Sequence, residues 1–371
     1  MNFDYSPDQR LLKDEVRKFL AAECPIATVR AVLDDDGRTH DATLWSKVAE
    51  MGWLATVIPE AYGGLGLSHV ELCAIAEEMG RALAPVPFAS TLYAFAQGLQ
   101  LAGSESQRAH WLPLVAQGAA IGCMATAEGP GEILPRELRV RAHGGRLTGS
   151  KCPVVDADVA DVALVLAEAD AGPTMFLVAL QGEGVARARL ESLDPTRGLA
   201  RLDFSGARAE QLGADGEGRI LAEGIHCRAA ALLSFEQIGG AERCLEMARD
   251  FALERKAFGR SVASYQAIKH KLADVYVRTQ LARSNAYYAA WALDNDSAEL
   301  PIAAAAARIA ACDAHWQAAK ENVQTHGGMG FTWEVDAHLH YRRAQQLALA
   351  VGAPRYWKHR LVSELELRKA H

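Results

Sequence analysis

Apolar residues recur along the chain with two different periods, and the change of period divides it. Up to about residue 119 the spacing is helical. Ser6-Pro7-Asp8-Gln9 offers an N-cap, a proline at the first helical position and a glutamine three residues past the cap. Leu11, Leu12, Val16, Phe19 and Leu20 then share one helix face. The same period predicts helices over Thr43–Met51 and Val70–Leu83. Between them, Ile58-Pro59-Glu60-Ala61-Tyr62-Gly63-Gly64-Leu65-Gly66 contains a proline and three glycines, which excludes regular structure and lets backbone pack close to a neighbour. From about 120 to 220 the pattern becomes that of short strands. Val162–Ala167 and Met175–Leu180 are apolar runs of strand length, while Arg139–Ala142 and Arg201–Phe204 alternate as half-buried strands do. Beyond about 221 the helical period returns, in segments near 228–258, 265–294, 299–326 and 336–368. The third is alanine-rich from Ile302 to Ala311, which favours helix and close helix approach.

The predicted fold class is therefore α+β, with an N-terminal helical domain (1–119), a middle antiparallel β domain (120–220) and a C-terminal four-helix domain (221–371). Composition narrows the function. With 371 residues, 50% hydrophobic and 23% charged, the chain can bury a large core and is not a disordered one. A net charge of -7 gives no reason to expect nucleic acid as a partner. No run of about 18 apolar residues predicts a membrane span, and Met1-Asn2-Phe3-Asp4-Tyr5 lacks the basic start and apolar stretch of a leader. The seven cysteines are scattered, odd in number and never spaced C-x-x-C. That argues against a disulfide framework and against a cysteine-rich zinc site, and for a reducing, cytoplasmic location.

Four segments carry more specific chemistry. Pro59–Gly66 resembles the N-terminal loop of acyl-CoA dehydrogenases. Arg255-Lys256-Ala257-Phe258-Gly259-Arg260, followed by Tyr265-Gln266-Ala267-Ile268 and Leu272-Ala273-Asp274, resembles that family's R-x-x-F-G…[FY]-Q…L-A-D signature. Gln324-Thr325-His326-Gly327-Gly328-Met329-Gly330-Phe331 resembles its Q-x-x-G-G-x-G-[YF] segment, and Gly149-Ser150-Lys151 falls where it has G-x-K. The resemblance implies FAD bound across a subunit interface, an acyl-CoA thioester substrate and an electron-transfer flavoprotein as acceptor. It also implies that Arg255 meets the pyrophosphate, a task suited to a bidentate guanidinium. Phe258 and Gln266 would line the same site, Gln324, Gly327 and Gly328 would approach the adenosine, and Thr126 would lie near flavin and substrate. A histidine beside glycines, such as His326, is by default a loop residue.

The chain also departs from that pattern. α,β-Desaturation needs a carboxylate to remove the α-proton as hydride leaves the β-carbon. The residue expected to be that glutamate, just before Gly352, is Val351, which cannot accept a proton. A second family location precedes an arginine early in the C-terminal domain, and here holds Cys227 before Arg228. Glu236, in Phe235-Glu236-Gln237-Ile238, is the carboxylate in an apolar helical stretch nearby and thus the candidate base. Pro153-Val154-Val155 replaces the family's W-[IF]-[ST], and Thr126-Ala127-Glu128-Gly129-Pro130-Gly131 replaces T-E-P-x-x-G-S. The flavin-ring half is thus altered and the half that reaches a neighbour's cofactor is kept. Three readings follow: a subunit sharing an FAD site with a homologous partner, as in α2β2 heterotetrameric acyl-CoA dehydrogenases; a self-sufficient homo-oligomer with Glu236 as base; or a family scaffold without redox chemistry.

Overall fold

A computed structural model describes residues 4–369; Met1, Asn2 and Phe3, part of the stretch read above for a leader, lie outside it. The first helical part forms α1 (Pro7–Glu23), α2 (Ile26–Leu33), α3 (Ala42–Glu50), α4 (His69–Arg81), α5 (Ala96–Ala102) and α6 (Glu105–Ala116). α1 starts at the box read from sequence: Gln9 N donates to Ser6 Oγ at 3.2 Å, and Ser6 N donates to Gln9 Oε1 at 2.9 Å. Ser104 and Gln107 open α6 in the same way. The Pro59–Gly66 loop closes on its own backbone. A Cβ on Gly64 would lie 1.8 Å from the Ile58 carbonyl oxygen, so only glycine fits there.

The middle part supplies β1 (Gly122–Ala125), β2 (Arg141–His143), β3 (Arg146–Val155), β4 (Val162–Ala169), β5 (Gly172–Ala179), β6 (Val185–Arg189), β7 (Leu199–Arg208) and β8 (Glu210–Leu212). The sheet order is β6-β7-β3-β2-β4-β5-β8, with β1 also on β4. The sheet is mixed and not wholly antiparallel, because Gly122 pairs with Val162 and Arg141 with Glu168 in parallel. Parallel pairs need a crossover, and alternation along a strand carries no sign of one. The apolar run of β4 is buried from Val162 to Ala167, as a strand covered on both faces must be.

The third part begins with α7 (Gly218–Glu254), then a short hairpin of β9 (Lys256–Ala257) and β10 (Arg260–Ser261). α8 (Gln266–Asp294), α9 (Leu300–His326), α10 (Ala337–Leu349) and α11 (Pro354–Lys369) follow, so among the described residues the part has five helices instead of four. The predicted helix over 336–368 is broken by Gly352, at a φ of 99°, and by Pro354, whose missing N–H suits a helix start.

By contacts the chain groups into two compact units that cut across its linear order. One is Met1–Val29, His69–Ala84 and Ala230–His371; the other is Arg30–Ser68 and Pro85–Ala229. In the first, α4 crosses α7 at two glycines: a Cβ on Gly80 would lie 1.8 Å from Glu236 O, and one on Gly239 1.8 Å from Glu77 O. Its core includes Ala241, Cys244, Val275, Ala318, Ala319 and Ala344, small side chains that let helices approach closely. In the second unit, Gly122 on β1 lies against Phe95, whose ring meets Trp111 edge-on at 6.3 Å. None of the seven cysteines forms a disulfide, and no helix among the described residues is long and apolar enough to cross a membrane.

Candidate cofactor-binding site

Most of the candidate residues lie where three helices of the first unit end or begin. The last turns of α7 and α9 are joined by a stack of Phe251 on His326, with ring centroids 4.2 Å apart. Lys271 near the start of α8 bonds Glu321 of α9 at 3.0 Å. Arg255 leaves α7 at this end, Gln266 begins α8, and Gln324, Gly327 and Gly328 close α9. Arg255, Gln266, Gln324 and both glycines are exposed, and Arg255 makes no ion pair among the described residues. A Cβ added to Gly327 or Gly328 would meet nothing within 4 Å, so the open backbone there is not explained by packing inside the chain. His326 Nδ1 donates to Asn322 O at 2.8 Å and is engaged in the helix end, in keeping with its default reading.

The hairpin is the most unusual feature. Phe258 and Gly259 form its turn at φ values of 51° and 82°, the pair of positive angles that a type I′ turn requires. Glycine accepts such an angle freely; phenylalanine does not. The Phe258 ring is 98% exposed, so no contact within the chain offsets that strain. The hairpin is nonetheless held in place, since Tyr265 Oη donates to Ala257 O at 2.8 Å and the Arg260 guanidinium lies 4.0 Å over the Tyr265 ring.

Thr126 belongs to the second unit and has a different setting. It follows β1 and is 2% exposed, and its carbonyl accepts from Lys151 Nζ at 3.2 Å. Lys151, wholly buried on β3, also donates to Glu128 Oε1 at 2.7 Å. Glu128 accepts backbone N–H groups from Arg139 at 2.6 Å and Val140 at 3.1 Å as well. Burial pulls Lys151 down to about 8 against the opposing pull of Glu128. Burial raises Glu128, but Lys151 and the backbone N–H groups outweigh it and hold the carboxyl below its ordinary value. The two residues were separate in the sequence reading, one in G-x-K and one beside Thr126. Their pairing across 23 residues is a tertiary fact that ties the 126–131 stretch to β3. Val154, in the replaced W-[IF]-[ST] position, is 1% exposed.

Glu236 lies 1% exposed on α7, with Arg343 Nη1 of α10 at 3.8 Å from its Oε1. Arg343 also donates to Leu83 O at 3.3 Å. Arg308, fully buried beside them, donates to Gln237 Oε1 and to Leu347 O. Glu236 therefore sits among buried guanidinium groups. Val351 is 8% exposed, and its carbonyl accepts the Trp357 indole N–H at 3.0 Å. Cys227, in the second family location, is buried in the other unit.

Models of the acyl-CoA dehydrogenase N-terminal and C-terminal domains match residues 6–119 and 220–355. The chain belongs to the acyl-CoA dehydrogenase family. Its members bind FAD and are oxidoreductases acting on CH–CH bonds, and this chain is such an oxidoreductase by family. It is 36% identical to acyl-CoA dehydrogenase IpdE2 of Mycobacterium tuberculosis, over 97% of this chain and 98% of that one. It is 32% identical to acyl-CoA dehydrogenase FadE27 of the same organism, over 86% and 87%. Among solved structures, the ChsE4-ChsE5 complex of Mycobacterium tuberculosis superposes with a TM-score of 0.90 at 28% identity, over 99% of both chains. A Tcur3481-Tcur3483 steroid acyl-CoA dehydrogenase variant gives a TM-score of 0.90 at 28% identity, over 98% and 99%.

Proposed function

We propose that this family member is one subunit of an FAD-dependent acyl-CoA dehydrogenase and completes a flavin site whose ring-binding half and base belong to a homologous partner chain. The observation that carries this reading is an asymmetry. Arg255, Phe258, Gln266, Gln324, Gly327 and Gly328 are all presented outward, whereas Thr126 and Val154 are buried and Val351 stands where a carboxylate is needed. The outward group fits a dinucleotide: an unpaired guanidinium suits a pyrophosphate, and open glycines admit an adenosine close to backbone. Bound FAD supplies the hydride acceptor. Within this chain, Arg255 would counter the diphosphate charge, Phe258 would cover the cofactor's flank, and the hairpin bonds of Tyr265 and Arg260 would keep both in position. Val351 has no proton-accepting atom, so the α-proton would go to a partner residue.

Glu236 as a base gives the self-sufficient alternative. Its pairing with Arg343 and proximity to Arg308 favour a structural role, since the carboxylate is already engaged by buried guanidinium groups. For the substrate class we favour an acyl-CoA with a sterol-derived acyl group, because the structural relative described as a steroid enzyme matches nearly the full chain. An electron-transfer flavoprotein is the expected acceptor, by family resemblance, and the expected setting is the cytoplasm.

The test is the visible flavin spectrum and FAD count of the chain purified alone and after mixing with a homologous, base-containing partner. A colourless chain that gains about one FAD per pair, bleached by acyl-CoA, supports the shared site. A stoichiometric yellow protein that is bleached by acyl-CoA on its own overturns it.

A further inference from the structure

Three side chains that play no part in the proposed flavin site converge inside the first unit. Cys244 of α7, His315 of α9 and His340 of α10 place their ligating atoms within 4.8 Å of one another, and all three are buried. None of the three contacts is a hydrogen bond. Both ring nitrogens of His315 and Nδ1 of His340 are buried without a hydrogen-bond partner, and so is Asn322 Oδ1, two turns beyond His315 on α9. Orphaned buried nitrogens are costly, and native proteins rarely leave three together.

We propose that Cys244, His315 and His340 form a binding site for a single soft metal cation, with Cu(I) the best match and Zn(II) the next. The ligand set is one thiolate and two imidazoles, which selects soft and borderline d10 ions over Mg²⁺ or Ca²⁺. Separations below 4.8 Å bring donors to bonding distances of roughly 2.0–2.3 Å around one ion with small side-chain rotations. The surroundings are buried and made of small residues, with Ala241, Ala318, Ala319 and Ala344 packed in the same cluster as Cys244. The argument for a monovalent ion is one of charge. Arg343, Arg308, Arg243 and Arg81 lie near the two histidines. A Cu(I)–thiolate adds no net charge to that setting, whereas a Zn(II)–thiolate leaves one positive charge in it. Binding balances as replacement of the thiol proton by the metal, with one proton released to solvent and no change of oxidation state.

A further observation supports the assignment. A cavity of about 510 Å³ reaches His340 and is lined there by Arg243, Met247 and Asp336, giving an ion a path from solvent. The site would tie α10 to α7 and α9 one turn before Arg343, the partner of Glu236.

The test uses the full-length chain after chelation, titrated with Cu(I) under anaerobic conditions in competition with a colorimetric Cu(I) chelator. A second titration with Co(II) probes the same ligands by absorption. The expected result is one Cu(I) per chain, a thiolate-to-cobalt charge-transfer band, and a rise in Tm with either ion. Cys244→Ala and His340→Ala should each abolish the band and the Tm rise. Wild-type protein that competes no better than Cys244→Ala, or shows no thiolate band with Co(II), overturns the site without relying on any variant's stability. Stoichiometric Zn(II) in place of Cu(I) supports the site and overturns the charge argument. The readouts are independent of flavin binding, so their failure leaves the shared-cofactor reading untouched.

Discussion

Replacing Phe258 with asparagine should make the chain more stable and the assembled enzyme worse. An L-residue held at positive φ costs about 1–2 kcal/mol, and Phe258 sits at 51°. Its ring is 98% exposed, so removing it forfeits almost no buried apolar area. Asparagine tolerates the left-handed region, and followed by Gly259 it gives the dipeptide that type I′ hairpins most favour. The net gain should be about 1 kcal/mol, which for units of this size raises Tm by roughly 2–4 °C. Loss of an aromatic contact to the cofactor should cost a similar amount in binding, about fivefold weaker FAD retention in the partnered enzyme. Calorimetry of the isolated chain and fluorescence of FAD released from the complex measure the two effects separately. A lower Tm would mean that the ring packs inside the chain. Unchanged FAD retention would remove Phe258 from the cofactor site.

Other substitutions probe the buried charges. Glu77 is paired with Lys13 at 2.8 Å and with Arg283, so Glu77→Gln should cost about 3–5 kcal/mol in urea unfolding. Burial raises the Glu77 carboxyl, but Lys13 and Arg283 outweigh it and hold it below its ordinary 4.5. Its stabilisation is therefore present above about pH 4.5 and lost as pH falls through the lower folded value, and acid titration should weaken wild type more steeply than Glu77→Gln. For Lys151 and Glu128, 2.7 Å apart, each of Lys151→Met and Glu128→Gln should be strongly destabilising, and the double variant less so than their sum by more than about 1 kcal/mol. Additivity in that cycle would show that the pair does not hold the 126–131 stretch. Glu236→Gln should lower Tm and leave kcat of the partnered enzyme within about twofold; a loss above roughly a hundredfold with FAD retained would make Glu236 the base.

What the sequence determined by itself was the local structure. The capping box at Ser6 and Gln9, the doubly buried run of β4 and the helical period of α7 to α9 all depend on residues near one another in the chain. So do the Phe258-Gly259 turn and the open Gly327-Gly328 backbone. The tertiary structure decided everything that depends on distant residues meeting. It brought β1 and β2 parallel to β4, and it seated Gly80 and Gly239 where α4 and α7 cross. It also closed Lys151 on Glu128 and placed Arg343 against Glu236. Cys244, His315 and His340 show this most clearly, for their spacings along the chain match no ligand motif. Three helices wound at 3.6 residues per turn bring single side chains together from far apart, and only their packing puts sulfur and two nitrogens in reach of one ion.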